Sequence, residues 1–217
     1  LQDDVTKKHP TVNLALDLLA QPGIGRLNVL AAFDESGPLR RHRLLSLHLP
    51  GDVKDAPLLA HSLRVDEGLL AWLLGGYRPH TSLQGHLSIH QAPPEIPEAF
   101  ISRELARALA QDGPGDGSDG APLYLFHGPD TDVQRAAAAV LAQARGQLLM
   151  IVDVAALIAK QQIAPESAVR LALRDARLIN ALPMLTGWDA CLEDGTTPPN
   201  LMYALTKFPG ALIVAGS

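Results

Sequence analysis

The fold of this chain turns on one stretch, Leu123-Tyr124-Leu125-Phe126-His127-Gly128-Pro129-Asp130-Thr131-Asp132-Val133-Gln134-Arg135. A short apolar run of strand type meets Gly128 and Pro129, and alanine-rich helix-forming sequence comes next. That is the strand, loop, helix layout of a phosphate-binding loop. Aligned from Gly128 on the pattern G-x-x-x-x-G-K-[S/T], the second glycine falls on Val133, the lysine on Gln134 and the hydroxyl residue on Arg135. Only the first glycine is kept.

Each departure has a physical consequence. Such loops work because small residues let successive backbone N–H groups converge on phosphate at a helix N-terminus, while lysine adds a charge and Ser/Thr a magnesium ligand. Val133 puts a β-branched side chain where bare backbone is needed, Gln134 carries no charge, and Asp130 and Asp132 would repel an anion. The same aspartates suit another task, because carboxylates accept hydrogen bonds from the unpaired N–H groups of a helix's first turn. The expectation is a vestigial phosphate loop, Gly128, Pro129, Asp130, Thr131, Asp132, Val133, Gln134 and Arg135, that the protein fills itself and leaves empty of nucleotide.

Downstream the pattern is strictly βαβ, with apolar runs at 123–126, 147–152, 181–185 and 211–215 and helical sequence at 131–145 and 166–179. Short continuous apolar strands separated by helices predict a parallel sheet covered on both faces and joined by right-handed crossovers. In P-loop ATPases a second strand, Walker B, ends in a magnesium-holding carboxylate and often a glutamate that polarises water. Here those two places fall on Thr186 and Gly187, and Asp189 comes three residues late, where it reads as a loop or cap residue. Asp153, ahead of the apolar 154–158, reads as a helix cap. Neither G-x-G-x-x-G nor a nucleophile with His and acid partners is present, so dehydrogenase and hydrolase readings have no residues to stand on.

Upstream, Gln111-Asp112-Gly113-Pro114-Gly115-Asp116-Gly117-Ser118-Asp119-Gly120 can bury nothing and reads as a mobile linker, the clearest domain boundary. Before it, 98–110 reads as a helix with Phe100, Ile101, Leu105 and Leu109 on one side. Residues 1–92 read as a small winged-helix-like domain. Helical sequence at 1–20 breaks at His9-Pro10, Thr11 caps its second part, and Val12, Leu14, Ala15, Leu18 and Leu19 make the apolar face there. A second helix, 26–33, turns Leu27, Leu30 and Ala31 inward. Alternation at 41–49 and 59–65 about Pro50-Gly51-Asp52 gives an antiparallel pair, and Asp66 caps a helix from 67 to 74. His80, His86 and His90 lack the carboxylate or Cys that would complete a metal set, and alternation around Gly85 argues strand or loop.

Composition bounds the rest. With 217 residues, 47% of them hydrophobic and 19% charged, the chain can bury two cores. A net charge of −5, and nine Lys/Arg against nine Asp/Glu in residues 1–92, leave no basic footprint for nucleic acid or an anionic membrane, despite the run Arg40-Arg41-His42-Arg43. Cys191 stands alone, which excludes an internal disulfide and fits a reducing cytoplasm. No apolar run reaches the length of a membrane span. The lack of an initiator Met and the stop after an apolar run read as a fragment of a longer protein.

On Gly128 to Arg135, Leu182 to Asp189 and the terminal Ala211-Leu212-Ile213-Val214-Ala215-Gly216-Ser217, residues 121–217 resemble the first four strands of an AAA+ module. Leu1-Gln2-Asp3-Asp4-Val5-Thr6, His9-Pro10-Thr11-Val12 and Pro38-Leu39-Arg40-Arg41-His42-Arg43-Leu44-Leu45 are similar to the N-terminal region of bacterial ATPases with a winged-helix-like domain and tandem AAA+ modules, some encoded with phage-tail-like contractile injection systems. The resemblance implies a hexameric ring whose downstream module binds ATP and magnesium and hydrolyses ATP. It also implies a degenerate first module that serves as scaffold, with Thr186 and Asp189 at a vestigial Walker B site. The expected role is a non-catalytic pseudo-ATPase core, without cofactor of its own, acting through protein partners in assembly or substrate recruitment for a remodelling motor. A winged-helix DNA-binding or regulatory module is the alternative, and structural nucleotide binding through adenine contacts a further one.

Overall fold

Residues 9–49, 56–91, 121–161 and 163–217 are described by the structure, a computed structural model, and they belong to two units divided between Arg78 and Pro79. In the first unit, Thr11 closes the N-terminus of α1 (Val12–Leu19), its Oγ1 accepting from Leu14 N at 3.2 Å. Next come α2 (Ile24–Ala31) and the single turn α3 (Pro38–Arg41). β1 (Leu45–His48) and β2 (Ser62–Val65) pair antiparallel with Leu45 opposite Val65 and Leu47 opposite Leu63. α4 (Glu67–Leu73) starts at Asp66, whose carboxylate accepts from Leu69 N at 3.1 Å. Val12, Leu16 and Phe33 are the fully buried centre, with Val29, Leu30, Leu45, Leu47 and Leu63 packed on it.

That core corrects the sequence reading at several places. Leu18, Leu19 and Leu27, expected inward, are 62%, 75% and 65% exposed, and Ala31 is exposed too. With only two short strands and three short helices to cover, the i, i+3, i+4 set Val12, Ala15, Leu16 suffices to fill the space, and the leucines after it face out. The expected helices at 1–8 and 98–110, the turn at 50–52 and the linker 111–120 lie outside the described residues.

The second unit is a five-stranded sheet in the order β3-β5-β6-β7-β4. β4 (Leu123–His127), β5 (Leu148–Asp153), β6 (Ala181–Thr186) and β7 (Leu212–Gly216) run parallel, while β3 (Leu87–His90) is antiparallel to β5 at one edge. Helices α5 (Thr131–Ala144), α6 (Val154–Gln161), α7 (Pro165–Leu178) and α8 (Pro199–Thr206) connect the parallel strands. The continuous apolar runs are explained by burial on both faces. Met150, Val152, Leu185, Leu212 and Val214 pack beneath α6, α7 and α8, and Leu149, Ile151, Leu182, Met184 and Ile213 pack beneath α5. Pro183 is tolerated inside β6 because the ladder to β7 begins only at Met184, so its missing N–H is not needed there.

The domain boundary also needs correction. The Gly/Asp run at 111–120 reads as a separator of two domains, but the strands flanking it, β3 and β4, belong to one sheet, and the units divide after Arg78. Gly/Asp composition reports that a segment has nothing to bury, which is as true of a crossover within a domain as of a linker between domains.

Candidate functional site: the carboxyl edge of the sheet

In open α/β sheets ligands sit outside the carboxyl ends of the strands, and here the parallel registers bring His127, Asp153, Thr186 and Gly216 to that same edge. Because β4 lies beside β7, the turn after β4 and the end of β7 are neighbours, with Gly128 N donating to Gly216 O at 3.3 Å. Gly128 leaves the strand at φ +141°, a conformation that glycine adopts without a side-chain penalty.

The helix N-terminus above this turn is occupied by the chain itself. One oxygen of Asp130 accepts from Asp132 N at 3.0 Å and Val133 N at 3.1 Å, so the two N–H groups that could face an anion are already partnered. Asp132 does not share the task; its carboxylate lies outward, 3.6 Å from Arg135 Nη1. Val133 is 53% exposed. Gln134, where a phosphate-binding lysine would stand, is buried, and its Nε2 donates to Gly128 O at 2.7 Å and to Gly216 O at 3.2 Å. It ties the turn to the end of β7. Sequence showed that position 134 lacks charge, but nothing in it signalled a bond to a residue eighty-two positions away.

The far side of the edge is closed in a similar way. Thr186 Oγ1 donates to Val152 O at 3.2 Å, which draws the hydroxyl onto the neighbouring strand. Asp189, on the one-turn helix Trp188–Cys191, accepts from Ser217 N and Ser217 Oγ, both at 2.9 Å. These two bonds, led by the backbone one, hold its carboxyl below the usual carboxylate range. A Cβ on Gly216 would come within 2.9 Å of Asp189 Oδ1, so the absence of a side chain lets the carboxylate reach the strand end. Asp153 caps α6 through Ala156 N at 2.9 Å. Glu166, on α7, is also held low, by Asn200 first and Arg170 second, away from this edge.

The histidines are placed apart. His80 Nδ1 accepts from Ser82 N, and His90 Nε2 lies 2.9 Å from Ser88 Oγ on the edge strand. In the first unit the basic run Arg40-Arg41-His42-Arg43 falls on α3 and the turn into β1. A helix of four residues is about 6 Å long and cannot lie along a major groove as a recognition helix does. On α2, Arg26 is committed to Asp17 at 2.6 Å and Asn13 at 2.8 Å, while Ile24 and Leu27 are exposed.

Residues 1–87 match the family described as winged helix domain, variant. The chain therefore carries an N-terminal winged-helix domain and an α/β unit with a mostly parallel five-stranded sheet. No curated protein and no solved structure matches it. Among the described residues, no helix is long and apolar enough to cross a membrane.

Proposed function

We propose that the α/β unit is a pseudo-ATPase core of AAA+ type, and that the chain serves assembly or substrate recruitment for a remodelling motor without binding nucleotide or turning it over. The observation that carries this reading is Gln134 bridging Gly128 O and Gly216 O while Asp130 occupies the first-turn N–H groups. An incoming phosphate would have to displace both and then sit beside two carboxylates, with no lysine to offset them. The winged-helix domain supports the recruitment half. It exposes Leu18, Leu19, Ile24 and Leu27 on α1 and α2 and Leu70, Trp72 and Leu73 on α4, which suits a protein partner better than a phosphate backbone.

Phosphate release from MgATP and a DNA shift assay over a salt series, run on one preparation, test the proposal. Neither turnover above buffer nor a shifted band is expected. Turnover would return the edge to catalysis, and a shift that weakens steeply with salt would favour the DNA-binding alternative.

A further inference from the structure

A groove of about 430 Å³ runs along the second unit, on the face of the sheet that carries α5. Leu149 and Ile151 of β5 form its floor with the end of β3, Ala136 and Ala139 of α5 form one wall, and Arg135 and Gln91 stand at its rim. It exists because the layer is incomplete. A helix is roughly 10 Å wide and strands are about 4.8 Å apart, so α5 alone covers about two of five strands. The opposite face has three helices.

We propose that the occupant is this chain's own segment 98–110, seated with Phe100, Ile101, Leu105 and Leu109 against the groove. The described chain stops at Gln91, which itself lines the groove, and resumes at Ala121. In sequence, 98–110 is the one stretch between those points with a repeated apolar side, and its Glu98 and Glu104 are complementary to Arg135 at the rim. The two small side chains of the wall, Ala136 and Ala139, let a second helix come close. The path is long enough. Residues 92–97 can reach roughly 20 Å and residues 111–120 roughly 34 Å, against roughly 19 Å between the outermost strands β3 and β4. On this account the Gly/Asp run is the return arm of a crossover within the α/β unit. The inference stands apart from the nucleotide question, since the groove shares only Arg135 with the vestigial loop.

A cysteine pair, Leu105→Cys with Ala139→Cys, tests it in the full chain, with native Cys191 buried and its single-thiol parent as the blank. Mild oxidation and then peptide mass spectrometry should give the 105–139 disulfide within one chain in most molecules, and Ile101→Asp should cut that yield several-fold. A disulfide between chains would overturn the proposal in favour of a second copy, and no disulfide in folded protein would overturn it outright. As a second readout, Ala139→Arg should speed tryptic cleavage at Arg103 and Arg107 about tenfold at unchanged melting temperature; an unchanged cleavage rate contradicts the proposal.

Discussion

Two strand-to-helix junctions lie on the same edge of one sheet and solve the same problem differently. At β5–α6 the strand runs straight into the helix, Asp153 accepts from Ala156 N, and four residues after the cap Leu157 is fully buried in the core. At β4–α5 a wider turn, Gly128 to Asp130, intervenes; Asp130 caps the helix, and four residues after that cap stands Gln134, buried and bonded to two strand-end carbonyls. A helix needs only the first arrangement to be capped. The wider turn therefore answers to something other than stability, and a nucleotide-binding ancestry accounts for its shape while Asp130 and Gln134 account for its closure.

Substitutions at matched places should separate the two junctions. Leu157→Ala should cost most, about 2–5 kcal/mol in denaturant unfolding, because it opens a cavity in the larger core. Gln134→Ala should cost about 1–3 kcal/mol by the same measurement, since it leaves the carbonyls of Gly128 and Gly216 without that donor. If Gln134→Ala were neutral, the bridge would contribute nothing and the comparison would fail. Asp130→Ala and Asp153→Ala should each cost about 1 kcal/mol, alike at the two junctions because each removes one helix cap.

Smaller effects arise from the titrating groups. The carboxyl of Asp189 is held low in the folded chain, so what its bonds to Ser217 contribute is present at neutral pH and is lost as pH falls through that lowered value. The difference in unfolding midpoint between wild type and Asp189→Ala should therefore shrink on acidification; a difference that grows would contradict the sign. Burial pushes the Cys191 thiol up to about 11, so a thiol reagent at pH 8 should label it slowly when folded and fully in denaturant.

Much of the α/β unit is legible in the residues. The parallel strands appear where the runs 123–126, 147–152, 181–185 and 211–215 put them, because strands buried on both faces have no polar phase to blur them. β3 is harder to read, since Leu87–His90 is short and half polar, and its place beside β5 depends on a pairing that leaves no local pattern. The helix Pro199–Thr206 escapes a sequence reading, as Thr197-Pro198-Pro199-Asn200 looks like loop even though Pro199 occupies the first turn, where it needs no N–H. In the winged-helix domain the elements are legible but the buried face is not, because leucines there outnumber the places a small core offers. At the candidate site, sequence exposes the lost lysine and the capping carboxylate. The bonds of Gln134 to Gly216 and of Asp189 to Ser217 join residues far apart in the chain, and only the strand order brings them together.

Calorimetric titration of MgATP into the wild-type chain, beside a variant carrying Thr131→Gly, Val133→Gly and Gln134→Lys, tests most directly whether the chain's own side chains close the site. No saturable heat is expected from wild type, and measurable binding from the variant. Micromolar binding by wild type would contradict the account, and a folded variant that stays silent would show that the turn is not a closed phosphate site.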